Sequence, residues 1–106
     1  MGFIREHVVK RLTRSSKWPK VRKEYIKNHP ECEACGRTDG LEVHHVRPFH
    51  THPELELEEC NLMTLCDKGM KCHFTFGHLG HWKCWNPLVE SHAAAFIARV
   101  KKRRCS

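Results

Sequence analysis

The sequence predicts a small α+β fold in which a short antiparallel β-hairpin, braced by paired cysteines, is flanked by helices. Three observations lead to this expectation. Apolar residues recur at helical spacing towards both ends of the chain, two short apolar runs in the middle have the length and composition of strands, and cysteine pairs stand beside these runs. A chain of 106 residues has room for one such unit, so we expect a single domain spanning 1–106.

Two helices are predicted in the N-terminal part of the chain. Residues 3–13 and 17–28 both place apolar side chains at i, i+3 and i+4 positions. Ser16 is a candidate N-cap for the second helix, and Pro19 falls in its first turn, where proline is tolerated. Pro30 marks the end of this helix.

A last helix is predicted near the C-terminus. Asn86 and Pro87 form a suitable cap and first-position pair, and an apolar stripe follows them. The helical extensions of the domain are therefore expected at 3–28 and 87–102. The last helix runs into the basic sequence RVKKRRCS, which is either a solvated terminus or a phosphate-binding arm.

The middle of the chain has the pattern of a hairpin. Turn residues fill 32–40, the run LEVHHV alternates well enough for a strand from Leu41, and Pro48 should end that strand. A second short apolar run, NLMTL, is suited to pair with the first. Residues 70–77 are then expected to form a short helix that carries His73.

The charge balance favours a polyanionic partner. Lysine and arginine number 19 against 12 acidic residues, which gives a formal charge of +7 and a pI near 9.2. Nucleic acid is the leading candidate for such a surface, and a merely solvated basic surface is the alternative.

Neither secretion nor membrane insertion is expected. Charged residues at Arg5, Glu6 and Lys10 interrupt the apolar residues near the start before a signal-peptide hydrophobic region can form. No stretch approaches the roughly 18 apolar residues of a membrane helix. We therefore expect an intracellular, cytoplasmic protein.

Four of the seven cysteines form two candidate zinc-binding pairs. Cys32 and Cys35 form a CxxC followed by Gly36, and Cys66 and Cys72 form the second candidate pair. In a reducing compartment such cysteines are more often metal ligands than disulfides, and four thiolates suit one tetrahedral structural Zn²⁺. Five residues separate the second pair, which exceeds the usual two to four, so His73 is an alternative to Cys72 as the fourth ligand.

Other functions for the cysteines stay open at this point. A CxxC also occurs in thiol–disulfide enzymes, although the βαβ pattern that surrounds it there is missing here. Cys60, Cys84 and Cys105 have no partner at knuckle spacing, and we expect each to be a small buried residue or a free thiol.

The histidines and one asparagine complete an ordered pattern. The motifs CEACG, LEVHHV, NLMTLC and CH follow one another and contain His44–His45, Asn61 and Cys72–His73. In this order the pattern resembles the HNH endonuclease family, in its zinc-knuckle-containing subgroup, whose core is a ββα-metal fold. The resemblance covers roughly residues 30–80 and implies an intracellular protein of a bacterial or phage type.

The resemblance implies a role for each of these residues. His44 and His73 would bind a catalytic divalent metal, Mg²⁺ or Mn²⁺ or another first-row ion. His45 would be the general base, and Asn61 would restrain the segment that bears it. An imidazole with a pKa near 6.5 suits the base role, because it can accept a proton at neutral pH.

His78 is the candidate for a third metal ligand. Some family members have another histidine four residues after the one that matches His73, but Gly77 stands at that position here. His78 is a candidate ligand if the helix ends or distorts near Gly77.

The remaining candidates concern the DNA contact and the core. Arg47 stands two residues after the histidine pair and is a candidate nucleic-acid contact, with a solvated arginine as the alternative. The aromatic residues downstream are expected to be core residues around the short helix: Phe74, Phe76, Trp82 and Trp85.

The function implied is divalent-metal-dependent hydrolysis of DNA phosphodiester bonds, which leaves 5′-phosphate and 3′-hydroxyl ends. A monomer or weak dimer with one active site per chain should nick one strand at a time. A non-catalytic zinc-binding module for DNA or RNA is the first alternative, and a thiol redox protein is the second.

Overall fold

The computed structural model describes residues 14–105, with residues 102–105 described by their backbone alone. Its helices and strands are α1, Trp18–Asn28; β1, Leu41–His45; β2, Leu62–Cys66; and α2, Val89–Cys105. Single turns of 3₁₀ helix at Pro53–Leu55 and Glu59–Asn61 and one π-helical turn at His73–Gly77 join them. The helix expected at 3–13, the side chain of Cys105 and Ser106 lie outside the described residues.

The first described helix, α1, begins one residue later than the sequence predicts. Lys17 occupies the N-cap position, so the prediction that Ser16 caps this helix is wrong. Instead, the hydroxyl oxygen of Ser15 accepts a hydrogen bond of 3.1 Å from the Lys17 N–H. Pro19 lies in the first turn as predicted.

The predicted hairpin is confirmed. β1 and β2 pair antiparallel without a bulge, with His44 opposite Met63 and His45 opposite Leu62. Because successive side chains of a strand point to opposite faces, this register sends the two histidines to different sides of the sheet.

A different helix covers each face of the hairpin. On one face, Tyr25 of α1 packs with Val43 and Leu62. On the other, Val89 and Ala93 of α2 belong to the larger core cluster: Cys32, Ala34, Val46, Met63, Leu65, Cys66, Cys72, Val89 and Ala93. All five residues of β2 are buried, because this strand lies between the two layers.

The last helix, α2, begins at Val89, two residues after the predicted start, and continues past the predicted end. Asn86 precedes it, and its side-chain oxygen accepts a hydrogen bond of 3.0 Å from the Leu88 N–H. Within the described part of the chain, no helix combines the length and apolarity needed to cross a membrane.

Tyr25 ties α1 to the hairpin. Its buried hydroxyl donates a hydrogen bond of 2.8 Å to the Leu62 carbonyl, and burial raises its pKa to about 12. We predict that Tyr25→Phe lowers the free energy of unfolding by about 1 kcal/mol, because one buried hydrogen bond is lost.

Urea denaturation of the metal-loaded protein measures this change. Lys20→Ala, at an exposed position of the same helix, is the control and should change stability by less than about 0.5 kcal/mol. Equal denaturation midpoints for Tyr25→Phe and the unsubstituted protein would contradict the prediction.

Candidate active site

Four cysteine side chains converge at one end of the hairpin. Cys32 and Cys35 come from the loop before β1, Cys66 ends β2, and Cys72 stands just before the π-helical turn. Their sulfur atoms all lie within 4.8 Å of one another. We call these four residues the cysteine cluster.

The cysteine cluster has the dimensions and donors of a tetrahedral zinc site. The sulfurs of Cys35 and Cys66 are 3.7 Å apart, and Zn–S bonds of about 2.3 Å in a tetrahedron set an S–S separation of about 3.8 Å. Backbone N–H groups of Cys35 and Cys72 point at the sulfurs of Cys32 and Cys66, at 3.4 and 3.5 Å. The hydrogen bond between the side chains of Cys32 and Cys72 lowers the pKa of Cys32 to about 4 and raises the pKa of Cys72, so the Cys32 thiolate is stabilised by the neighbouring Cys72 thiol.

The other candidate ligands for this site lie elsewhere. His73, the alternative to Cys72, belongs to a separate group of histidines. Cys60 and Cys84 are free and exposed. The expectation that each is a free thiol agrees with the structure, and neither is a small buried residue.

Three histidines form a second group on the α2 side of the hairpin. His44 of β1 meets His73 and His78 from the π-helical turn and its end, and one ring nitrogen of each lies within 4.8 Å of the others. The three pairs of ring centroids are 4.9 to 5.1 Å apart. We call these three residues the histidine pocket.

Hydrogen bonds fix the orientation of two of these rings. The Nδ1 of His73 lies 3.2 Å from the Asp67 carboxylate, and the Nδ1 of His78 lies 2.8 Å from the Cys84 carbonyl. Both partners only accept hydrogen bonds, so each Nδ1 carries the proton and each neutral ring has its lone pair on Nε2.

The two Nε2 atoms of His73 and His78 are 3.3 Å apart. Two lone pairs at this distance repel each other unless a cation lies between them or one ring is protonated. Burial lowers the pKa of His73, which disfavours protonation of that ring. Metal–nitrogen bonds of about 2.0–2.1 Å at a tetrahedral angle place two ligands about 3.3 Å apart, so the pair fits a metal ion.

His44 supplies the third nitrogen. Its side chain is 2% exposed, and among the described residues its buried Nε2 has no hydrogen-bond partner. Burial, with the neighbouring His73 and His78, lowers its pKa to about 3, so the ring is neutral and Nε2 can act as a ligand. A buried polar atom without a partner is costly, and a metal ion in the pocket would satisfy it.

The π-helical turn explains why His78 reaches this pocket. The sequence predicts an ordinary short helix at 70–77, and that prediction is wrong in detail: His73–Gly77 is a wider turn, in which the His78 N–H donates to the His73 carbonyl five residues earlier at 3.2 Å. In an α-helix the residue four positions on would lie above His73. The wider turn places the fifth there instead.

Gly77, the residue at the fourth position, must be small. A Cβ atom at this position would lie 2.8 Å from Cε1 and 2.9 Å from Nδ1 of the His44 ring. Its φ is not among the positive values, so the requirement is for space and not for a special backbone conformation.

His45 points to the α1 side of the hairpin. Its Nε2 lies 3.0 Å from the Glu56 carbonyl, which only accepts hydrogen bonds, so Nε2 carries the proton and Nδ1 keeps the lone pair of the neutral ring. Its ring packs on Trp18 at a centroid distance of 4.5 Å. Burial lowers the pKa of His45, so the ring is neutral at neutral pH.

Asn61 holds the loop that follows β1. Its side-chain oxygen accepts a hydrogen bond of 2.9 Å from the Arg47 N–H, and its Nδ2 donates to the carbonyls of Arg47 and Leu55 at 3.1 and 3.3 Å. The Asn61 carbonyl also accepts the Val46 N–H at 2.8 Å. These bonds fix the chain immediately after His45 and close to Glu56, the partner of His45.

His44 and His45 share one cleft although they point to opposite faces. The cleft has a volume of about 440 Å³, and four consecutive residues of β1, Glu42 to His45, line it. Among the described residues, β1 pairs with β2 on one side alone, so its outer edge is the place where both faces can be reached. The histidine pocket and His45 therefore line the same cleft.

The basic and aromatic lining of the cleft differs from the sequence expectation. Arg14, Arg22 and Lys83 line it, whereas Arg47 is exposed and does not. The prediction that Trp82 is a core residue is wrong: it is 58% exposed. Trp85 lines the cleft and is half-buried.

Sequence reasoning missed the groups that orient the imidazoles. Asp67 is an exposed acidic residue in a turn, and its position six residues before His73 gives no helical or strand spacing. The carbonyls of Glu56 and Cys84 are backbone atoms, which carry no residue signature. The distortion expected near Gly77 indicated that His78 could join His44 and His73, but nothing in the sequence indicated the groups that orient these rings.

Together these features define a small α+β domain with two side-chain groups that could each hold a metal ion, the cysteine cluster and the histidine pocket, and with a fourth imidazole, His45, in the same cleft as the histidines. Residues 32–76 match the family model described as HNH endonuclease. This match covers less than half of the chain and confirms the resemblance found in the sequence for these residues. None of the curated proteins and none of the solved structures compared with the chain matches it.

The cysteine cluster gives a prediction about metal content. We predict that Cys66→Ser removes about one equivalent of zinc and lowers the melting temperature by at least about 10 °C, because a tetrahedral structural site loses a thiolate. Metal analysis by mass spectrometry and thermal denaturation measure the two effects.

The matched control is Cys60→Ser, which replaces an exposed cysteine outside the cluster. It should leave zinc content and melting temperature unchanged. Equal zinc content in the two variants would contradict the assignment of the cluster.

The close approach of Gly77 to His44 gives a second prediction. Gly77→Ala should weaken divalent-metal binding in the histidine pocket about 10- to 100-fold, because the added methyl group displaces the His44 ring. Calorimetric titration of Mn²⁺ into zinc-loaded protein measures this affinity. Thr75→Ala, at an exposed position of the same turn, is the control, and equal affinities for both variants would refute the prediction.

Proposed function

We propose that this protein is a divalent-metal-dependent endonuclease that hydrolyses DNA phosphodiester bonds. The observation that supports this best is one cleft that joins three converging imidazoles to a fourth with a free nitrogen. His44, His73 and His78 would hold the catalytic metal, and His45 would be the general base.

Hydrogen bonds give His73, His78 and His45 the ring tautomer that each proposed role requires. Hydrogen bonds to acceptors leave Nε2 of His73 and His78 as lone-pair donors, and the same reasoning leaves Nδ1 of His45 free. The metal would supply Lewis acidity, by contact with a phosphate oxygen and by stabilising the charge on the departing 3′ oxygen. Three nitrogen ligands favour a first-row transition ion over Mg²⁺, which prefers oxygen.

His45 would activate the attacking water. Its Nδ1 accepts a proton as the water oxygen bonds to phosphorus, and the bond from phosphorus to the 3′ oxygen breaks. The 3′ oxygen takes a proton from solvent, so the products are a 5′-phosphate and a 3′-hydroxyl. One such site per chain would nick one strand.

Asn61 would act as a positioning residue. It contacts the backbone of the loop after β1 at three points and lies among buried residues. The Glu56 carbonyl that orients His45 belongs to the same loop. Removing the Asn61 side-chain amide would therefore make the orientation of His45 less fixed, while the His45 imidazole itself stays present.

The lining of the cleft suits a DNA backbone. Arg14 and Lys83 are exposed, and Arg22 is half-buried in an ion pair with Glu42 at 2.7 Å. The net charge of +7 attracts a polyanion from a distance. These cations take the place of Arg47, the phosphate contact suggested by the sequence.

We also propose that the flanking helices belong to the same domain as the HNH segment. α1 and α2 each provide core residues on one face of the hairpin. The domain would work as a monomer or weak dimer in the cytoplasm.

Plasmid nicking tests the proposed activity. We predict that the zinc-loaded protein with Mn²⁺ converts supercoiled plasmid to nicked circle, and that His45→Ala lowers the rate at least about 100-fold, because a general base contributes that factor. His29→Ala removes a histidine that lies outside the cleft and serves as the control.

The Mn²⁺ affinity of His45→Ala shows whether His45 acts as a general base or as a metal ligand. His45→Ala should bind Mn²⁺ as tightly as the unsubstituted protein. Equal amounts of nicked circle from His45→Ala and the control variant would instead favour the alternative of a non-catalytic zinc-binding module.

A further inference from the structure

An exposed tryptophan stands beside the histidine pocket. Trp82 is 58% exposed, and its ring centroid lies 4.9 Å from that of His78 and 5.4 Å from that of His73. It also packs on Phe74 at 4.8 Å. These contacts hold the indole in place while much of its surface stays open to solvent.

Aromatic rings also flank the rest of the cleft. Trp85 lines it near His52, with ring centroids 6.4 Å apart, and Trp18 lies against His45. Open aromatic surface thus occurs beside the metal pocket, and a further ring lies beside the proposed base.

Positive charge is interleaved with these rings. The Arg14 guanidinium lies over Trp18 at 5.4 Å and over Phe49 at 4.8 Å, and Lys83 follows Trp82 directly in the chain. Cations between aromatic faces are the combination that binds phosphates and bases of the same strand.

We propose that the cleft binds single-stranded DNA, with Trp82 as the platform on which an unpaired base stacks beside the scissile phosphate. This assignment rests on the proposed nuclease function and names its substrate class. In a duplex the bases stack on one another and offer no face to a protein side chain, so duplex DNA uses this platform only where it is locally unpaired.

The charge and shape of the cleft support this occupant over a protein segment. A protein segment that covered Trp82 would need to be acidic to match Arg14 and Lys83, whereas a nucleic acid strand supplies planar apolar faces and negative charge together. Because every base has a π-face, the platform should bind with little sequence preference.

Fluorescence anisotropy with labelled oligonucleotides tests the proposal. The experiment uses zinc- and Mn²⁺-loaded protein that carries His45→Ala, so that no cleavage competes with binding. Oligo(dT) should bind more tightly than a duplex of equal length. Trp82→Ala should weaken oligo(dT) binding about tenfold and duplex binding less than twofold, while Trp82→Phe should restore most of the affinity.

Two further variants distinguish the loss of base stacking on Trp82 from a structural disturbance of the histidine pocket. Trp85→Ala changes a second cleft ring that has no ring contact with the histidine pocket among the described residues, and it should also weaken single-strand binding selectively. Leu88→Ala removes an equally exposed apolar side chain outside the cleft and should have no effect.

The outcomes distinguish this proposal from the proposed function. Equal losses for oligo(dT) and duplex, no loss, or tighter duplex binding would overturn the single-strand assignment even if the plasmid is nicked. Selective loss in Trp82→Ala and Trp85→Ala would support it even if no plasmid is nicked, in which case the nuclease proposal alone would fail.

Discussion

The site depends on the register of one β-hairpin. His44 pairs with Met63 and His45 with Leu62, and a slip of one residue would exchange the faces of the two histidines. The cysteine cluster joins the loop before β1, the last residue of β2 and the start of the π-helical turn. A metal held by these thiolates would therefore fix the register and the approach of the turn at once, which a core of this size does weakly by itself.

A network of hydrogen bonds holds the loop at the other end of the hairpin. Asn61 pairs both backbone groups of Arg47, and the same loop returns the Glu56 carbonyl to His45. The Glu56 side chain is buried and accepts the Ser15 N–H at 3.1 Å, so it links this loop to the chain before α1. His45 and the histidine pocket are thus oriented by separate sets of contacts on opposite faces of the sheet.

Much of the fold could be predicted from the sequence, because it rests on local patterns. Strand alternation located β1 from Leu41, and cysteine spacing identified the four members of the cysteine cluster. The order of the histidines indicated which of them meet. The polar partners of the rings could not be predicted, since Asp67 acts through a turn and two others are backbone carbonyls. The prediction that Trp82 is a core residue was wrong. An aromatic residue type does not indicate whether its ring is buried on both sides or packed on one side and exposed on the other.

The π-helical turn at His73–Gly77 has a consequence for how metal-site motifs tolerate length changes. An extra residue between two ligands usually rotates the second away from the first by about 100° in an α-helix. Here the turn widens instead, and His78 stays within reach of His73, with Nε2 atoms 3.3 Å apart. The family match ends at residue 76, before this histidine. A metal-binding pocket can thus retain a third histidine nitrogen when the number of residues between two ligands increases by one. The condition is that a glycine, here Gly77, leaves room four residues after the first ligand.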